Sequence, residues 1–108
     1  MFSKKSDAVY RDMLPGIKMR VSSHGDKTLM SEFMLEKGSV LPPHSHVHEQ
    51  TGYLVSGRIV LNIAGESFVT IPGDSWCVKS GIEHSAEAVE DSVAVEVFSP
   101  VREDYIPG

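Results

Sequence analysis

Residues 38–57 read GSVLPPHSHVHEQTGYLVSG, and the run HSHVHEQ at residues 44–50 contains three of the five histidines in the chain. His44 and His46 lie two residues apart, so on an extended strand both imidazoles project from the same face. Paired imidazoles in this arrangement can bind one metal ion. The stretch therefore predicts a metal site carried by a β-strand.

Gln50 follows His44 by six residues and cannot reach the same ion along a straight strand. Six extended residues span roughly 20 Å, whereas the ligands of one ion lie only a few Å apart. The chain must therefore turn near residues 47–49, and we predict that Gln50 returns on the next strand of a ligand-bearing hairpin. His48 and Glu49 remain alternative ligands if the turn differs.

The rest of the chain alternates between turn signals rich in Gly, Pro, Asp and Ser and short segments rich in β-branched and aromatic residues. No window predicts a substantial helix, apart from a possible helical turn near residues 7–13. The pattern predicts an all-β fold, a sandwich or closed barrel, as a single domain over residues 1–108. The predicted strands are GIKMRVS (16–22), TLMSEFMLE (28–36), TGYLV (51–55), RIVLNI (58–63), SFVTI (67–71) and SVAVEVF (92–98).

The charge of the chain bears on its partners. Ten basic residues, which are scattered, face 15 acidic ones, for a formal net charge of −5. Nucleic acids and anionic membranes select clustered Lys and Arg, so we expect neither as a partner and predict a small molecule instead.

The N-terminal residues and the cysteine content bear on the compartment. The N-terminus has no apolar run typical of a signal peptide or membrane anchor. Cys77 is the single cysteine, and a lone thiol suits a reducing compartment. These features predict a cytoplasmic protein in which Cys77 is a buried structural thiol.

The spacing of the ligand stretch resembles the first motif of the cupin superfamily, which is Gly, five residues, His-x-His, three or four residues, Glu, six residues, Gly. Here it runs from Gly38 through the two histidines to Gly57, with Gln50 in place of the usual Glu. The second cupin motif supplies a later histidine after a Pro-Gly turn. IPGDSWCVKSGIEH, residues 71–84, offers His84 in that position.

The resemblance implies a cupin-type double-stranded β-helix, or jelly-roll barrel, that holds one divalent transition metal. Nickel, zinc, manganese, iron and cobalt fit the ligand set about equally. With Gln50 replacing a carboxylate, the ligands are neutral, so the ion keeps its formal charge and is a stronger Lewis acid. The implied metal ligands are His44, His46, Gln50 and His84.

The C-terminal stretch VEVFSPVREDYIPG, residues 95–108, resembles the pectin-degradation cupins that convert 4,5-unsaturated monouronates into open-chain keto acids. Those proteins carry an acidic residue, a Phe two residues later and an Arg four beyond that. The matching positions are Glu96, Phe98 and Arg102, with Glu in place of the usual Asp. The resemblance implies that Glu96 and Arg102 are catalytic and that Phe98, Arg102 and Tyr53 contact the substrate.

The residues themselves are compatible with these roles. In SVAVEVF, period-two alternation places the valines on one face and Ala94, Glu96 and Phe98 on the other. An inward Glu96 near a cation pocket can act as a general acid or base, and Arg102 can bind a carboxylate through two parallel hydrogen bonds. The alternative is that Glu96 and Arg102 form an exposed ion pair at a strand end.

The sequence thus predicts a metal-dependent isomerase or lyase-type enzyme of polyuronate (pectin or alginate) catabolism, whose ion binds oxygen atoms of a sugar-acid substrate. Two alternatives stay open, namely an Fe(II)-dependent dioxygenase and a non-catalytic module that binds a sugar acid or effector. GIKMRVS is expected to pair with a second copy, which predicts a homodimer.

Overall fold

The computed structural model describes residues 1–106, which form ten β-strands between two short 3-10 helices, Lys5–Asp7 and Glu103–Tyr105. The strands are β1 (Arg11–Leu14), β2 (Ile17–His24), β3 (Leu29–Leu35), β4 (Val40–His44), β5 (Glu49–Ser56), β6 (Ile59–Ile63), β7 (Glu66–Thr70), β8 (Ser75–Val78), β9 (His84–Ala88) and β10 (Ser92–Ser99).

The strands form two antiparallel sheets. One has six strands in the order β1-β2-β3-β10-β5-β8, and the other has four in the order β4-β9-β6-β7. The all-β prediction is confirmed, and all six predicted segments correspond to strands of the structure (β2, β3, β5, β6, β7 and β10). The predicted helical turn near residues 7–13 is wrong, because Arg11 and Asp12 pair with Met19 and Lys18 of β2 as part of β1.

Burial alternates along the central strand β10, as its sequence predicts. Ala94, Glu96 and Phe98 are buried and face the interior, whereas the intervening valines are only partly buried. Residues of both sheets, including Ile17, Leu54, Ile59 and Leu61, form one core cluster. A second cluster contains Met19, Leu29, Phe98 and Tyr105, so the C-terminal 3-10 helix is anchored to the barrel through Tyr105.

The ligand stretch is not a hairpin. The chain does change direction, since residues 47–48 form a bend before β5 begins at Glu49. However, β4 pairs with β9, and β5 pairs with β10 and β8, so the two strands belong to different sheets. The predicted hairpin is therefore wrong, and residues 45–48 carry the chain from one sheet to the other. This crossover lets both sheets contribute side chains to one interior site.

Cys77 is exposed rather than buried. It lies on β8, an edge strand, and alternates with the inward Trp76 and Val78, so its side chain faces outward. The expectation of a buried structural thiol is wrong for this reason.

The structure also bears on the expected partners. Within residues 1–106 no helix has the length and apolar character needed to cross a membrane. GIKMRVS forms most of β2, which is hydrogen-bonded to β1 on one side and β3 on the other. Its backbone is therefore not free to pair with a second copy. The homodimer stays a prediction, and pairing through the backbone of β2 does not form its interface.

Gly57, which ends the first motif, lies in the turn between β5 and β6 and tests how closely that turn packs against the start of β10. Its φ is +88°, and a Cβ there would overlap the backbone oxygen of Asp91 and lie 2.6 Å from Cα of Ser92. Gly65 has a similar φ of +83° but no atom within 4 Å of the same position. We expect Gly65→Ala to cost about 1 kcal/mol of unfolding free energy for the left-handed conformation alone. Gly57→Ala should cost at least about 2 kcal/mol more because of overlap.

Urea unfolding of both variants measures this difference. Equal losses in the two variants would contradict the proposed contact between the turn and Ser92.

Candidate metal centre

Three histidines from separate parts of the chain meet inside the barrel. His44 ends β4 and stands opposite His84, the first residue of β9, while His46 lies in the crossover. Their ring centroids are 4.1 Å apart for His44 and His84, 5.0 Å for His46 and His84, and 5.6 Å for His44 and His46. Their potential ligand atoms all lie within 4.8 Å of one another. We call these residues the three-histidine cluster.

Backbone carbonyls orient all three rings. In each case Nδ1 lies at 2.8 to 2.9 Å from a carbonyl oxygen two residues away in sequence, that of Pro42, His48 or Ile82. A carbonyl can only accept, so Nδ1 carries the proton and the Nε2 lone pair is left for a metal ion. Nε2 of His46 and of His84 is buried and has no hydrogen-bond partner among residues 1–106.

These unpartnered nitrogens are the observation that fits a metal ion. A buried polar atom without a partner is costly, and an ion coordinated by Nε2 would remove the cost. Burial also lowers the pKa of His46 and of His84. The hydrogen bonds to backbone carbonyls raise it and the charge of Arg102 lowers it, both by less than burial does. The lowered pKa values favour the neutral imidazole, which is the form that binds metals.

Gln50 borders the cluster from the opposite sheet. It is on the inner face of β5, is 6% exposed, and donates a hydrogen bond from Nε2 to Oε2 of Glu96 over 3.1 Å. The side chain of Gln50 also raises the pKa of His46, by less than burial lowers it, and its amide oxygen is the end that is not bonded to Glu96. Gln50 is thus placed to offer its oxygen as a fourth ligand.

Glu96 is a buried carboxyl group on β10, 8% exposed. Besides Gln50, it accepts a hydrogen bond from Nε1 of Trp76 to its Oε1, again over 3.1 Å. Burial raises its pKa to about 8, although the two hydrogen bonds favour the charged form. The alternative of an exposed ion pair with Arg102 is wrong, because Glu96 faces inward.

Arg102 is paired with Asp104. Its Nη2 donates to Oδ2 over 2.8 Å and its Nε to Oδ1 over 3.3 Å, and this pair lowers the pKa of Asp104. The guanidinium lies 4.0 Å from the ring centroid of Tyr105 and 5.1 Å from that of Phe98. Aromatic faces hold the cation in place, and Asp104 occupies the Nε–Nη2 edge of the guanidinium, one of the two edges that can bind a carboxylate.

One cavity of about 290 Å³ unites these groups. Its polar lining includes His44, His84, Gln50, Glu96 and Arg102, with Phe98, Tyr105 and Trp76 among the aromatic walls. Its remaining lining is mainly aliphatic, with residues such as Ile17, Leu35, Ile59 and Leu61. The predicted residues other than Tyr53 thus converge on this cavity and its rim, where the ring of His46 lies 5.8 Å from that of Phe98.

The structure does not bring Tyr53 to the cavity. Tyr53 is 50% exposed on the outer face of β5, because it alternates with the inward Gly52 and Leu54. Glu49 is also exposed on that face, with its carboxylate beside Cys77. His48 lies with its ring centroid 5.7 Å from that of His46, but it does not share the ligand-atom cluster.

Sequence reasoning did not identify Trp76 or Asp104 as part of the site. Trp76 is the only tryptophan and shares the inner face of β8 with Val78, so its pattern indicates a core residue. Asp104 follows Arg102 by two residues, which does signal a local ion pair. Its position at the cavity rim depends on the 3-10 helix that Tyr105 anchors.

Comparison with known proteins identifies the family. A family model described as a cupin domain matches residues 31–100, which include the three-histidine cluster, Gln50 and Glu96. The chain belongs to the cupin family. The predicted jelly-roll cupin fold is confirmed by solved structures of the same architecture.

This cupin is similar to three proteins in particular. It is 28% identical over 99 residues to the pectin degradation protein KdgF of Dickeya dadantii (strain 3937), covering 90% of each chain. It superposes on KdgF from Halomonas sp. with a TM-score of 0.94 and 30% identity, covering 98% of each chain. An RmlC-like cupin from Shewanella frigidimarina NCIMB 400 gives a TM-score of 0.94 at 28% identity, covering 97% of this chain and 95% of the other.

Glu96 should link the stability of the metal-free protein to pH. Its folded pKa of about 8 lies above the ordinary value of 4.5, so as pH rises the unfolded chain releases this proton first. The contribution to unfolding free energy is complete below pH 4.5 and lost by about pH 8, and it amounts to at most about 5 kcal/mol.

Urea unfolding of chelator-treated wild type and Glu96→Gln measures this contribution, because histidine titrations are common to both proteins. Wild type should lose stability relative to the variant up to about pH 8 and then level off. A difference independent of pH would mean that folded Glu96 is ionised throughout.

Proposed function

We propose that this cupin is a metal-dependent enzyme that opens the ring of 4,5-unsaturated monouronates to linear keto acids during polyuronate breakdown. The observation that carries the proposal is one cavity lined by His44 and His84 of the three-histidine cluster, a buried carboxyl group at Glu96 and a guanidinium at Arg102. The similarity to proteins named for pectin degradation supports the same substrate class.

The reaction is a balanced isomerisation that needs no oxidant. The ring bond between the anomeric carbon and the ring oxygen breaks, carbonyl groups form at both ends, and one proton moves from the anomeric hydroxyl to the alkene carbon C4. An enzyme for this reaction must hold the carboxylate, polarise an oxygen atom and transfer one proton.

Each requirement has a candidate residue in the cavity. His44, His46, His84 and Gln50 would hold a divalent ion, which when bound supplies Lewis-acid polarisation of a substrate oxygen. Glu96 is sheltered from bulk water, and its raised pKa lets it accept and return a proton near neutral pH. Arg102 would hold the substrate carboxylate while Phe98 forms a wall beside it.

The burial of Glu96 also bears on the alternatives. A non-catalytic module needs no acid–base group sheltered in its ligand cavity, and an exposed Glu96 would have favoured that alternative. A dioxygenase would use the same ligands with Fe(II), and oxygen consumption distinguishes it because ring opening consumes none.

Loss of the conjugated double-bond absorbance of an unsaturated galacturonate monomer tests the proposal directly. Metal-loaded wild type should accelerate this loss, and Arg102→Lys should raise KM by about tenfold or more, since lysine cannot make the two parallel hydrogen bonds. Arg20→Lys is the matched control, because Arg20 is paired with Glu32 away from the cavity and should leave KM unchanged. Metal-loaded protein that gives no acceleration would contradict the proposed reaction.

Asp104 should compete with the substrate for Arg102, because its carboxylate already accepts two hydrogen bonds from that guanidinium. Asp104→Asn removes the competing charge, so we expect KM to fall by about twofold to fivefold, the size typical of a partly exposed ion pair. Glu103→Gln is the matched control, since Glu103 is exposed and adjacent in sequence. A rise in KM for Asp104→Asn would instead mean that Asp104 holds Arg102 in its active position.

A further inference from the structure

Three residues are cross-strand neighbours on adjacent strands of the six-stranded sheet. Glu96 of β10 stands opposite Gly52 of β5, and Gly52 stands opposite Trp76 of β8. Glu96 and Trp76 are therefore separated by an entire strand, too far for most pairs of side chains to meet. They nevertheless form a hydrogen bond of 3.1 Å from Nε1 to Oε1.

Gly52 makes this contact possible. A Cβ at position 52 would overlap the indole atoms Cε2, Nε1 and Cζ2 of Trp76, so the ring lies directly across the glycine. Any side chain there would push the indole off the sheet and away from Glu96. The missing Cβ on β5 thus provides the path by which Trp76 reaches the carboxyl group.

The second oxygen of Glu96 continues the chain of hydrogen bonds to Gln50. Oε2 accepts from Nε2 of Gln50 over 3.1 Å, and all three side chains line the same cavity. An amide has one end that donates and one that accepts. Because Oε2 of Glu96 accepts this bond, the nitrogen end of the Gln50 amide is turned toward Glu96, and the oxygen end is left available to the three-histidine cluster.

We propose that Glu96 and Trp76 are positioning residues that hold the Gln50 amide with its oxygen toward the metal centre. The proposal rests on the metal site of the proposed function. It addresses a problem specific to a glutamine ligand, because a rotated amide would present an NH2 group, which cannot bind a metal ion. A carboxylate at position 50 would present an oxygen in either orientation and would need no such partner.

Co(II) binding tests the proposal without any activity measurement. Affinity is obtained by chelator competition, and the visible absorption of Co(II) reports its coordination. The Glu96→Gln variant introduces a second amide, so the Gln50 amide is no longer held. We expect affinity to fall by about tenfold and the absorption to shift toward that of Gln50→Ala, which lacks the ligand.

A double-mutant cycle separates positioning from simple loss of charge. If Glu96 acts through Gln50, Glu96→Gln should have no further effect on affinity in the Gln50→Ala background. An effect of equal size in both backgrounds would mean that Glu96 attracts the cation directly, and would overturn the proposal. Thermal unfolding of each metal-free variant confirms that it is folded.

Trp76→Phe tests the hydrogen bond from Trp76 to Glu96, since it keeps a ring over Gly52 and the carboxyl group of Glu96 but removes the N–H donor. We expect Co(II) affinity to fall by about threefold, with a spectral shift in the same direction as for Glu96→Gln. Wild-type affinity and spectrum in Trp76→Phe would overturn the role of Trp76.

Co(II) binding by wild type distinguishes failure of the proposed metal site from failure of the positioning role alone. Wild type that binds no Co(II) at all would overturn the metal site, and the positioning role with it. Wild type that binds Co(II), with Glu96→Gln unchanged in affinity and spectrum, would overturn the positioning role alone.

Discussion

The pairing of β4 with β9 is the constraint on which the site depends. It places His44 opposite His84 although forty residues separate them in the chain. A shift of one residue would turn one of these imidazoles to the other face of its strand. The same sheet lies across the interior from β5 and β10, so the crossover at residues 45–48 brings Gln50 toward the histidines, and the connection from β9 to β10 brings Glu96.

Burial then demands a partner for nearly every polar group in the cavity. Glu96 has Trp76 and Gln50, and the Nδ1 atoms of the three-histidine cluster have backbone carbonyls. Nε2 of His46 and of His84 has no such partner within residues 1–106, and neither does Nδ1 of the neighbouring His48. The two Nε2 atoms belong to the three-histidine cluster, whose potential ligand atoms lie within 4.8 Å of one another, so this is where an ion could be held.

The cavity combines this polar group with an aliphatic interior and an aromatic rim. Apolar walls lower the local dielectric, which raises the pKa of Glu96 and strengthens electrostatic interactions near it. At the rim, Tyr105 anchors the C-terminal segment in the core and presents its ring to Arg102. The C-terminal segment, held by Tyr105, therefore also positions the guanidinium of Arg102.

The sequence by itself determined the strands with alternating or continuous apolar patterns, the inward face of β10 and the candidate ligands, because these depend on local periodicity and on residue chemistry. Tertiary structure decided the rest. β1 forms only because β2 supplies a ladder, Tyr53 faces outward because Gln50 and Leu54 face inward, and Trp76 reaches Glu96 only across Gly52. Such relations join residues distant in the chain, and local pattern carries no information about which strands become neighbours.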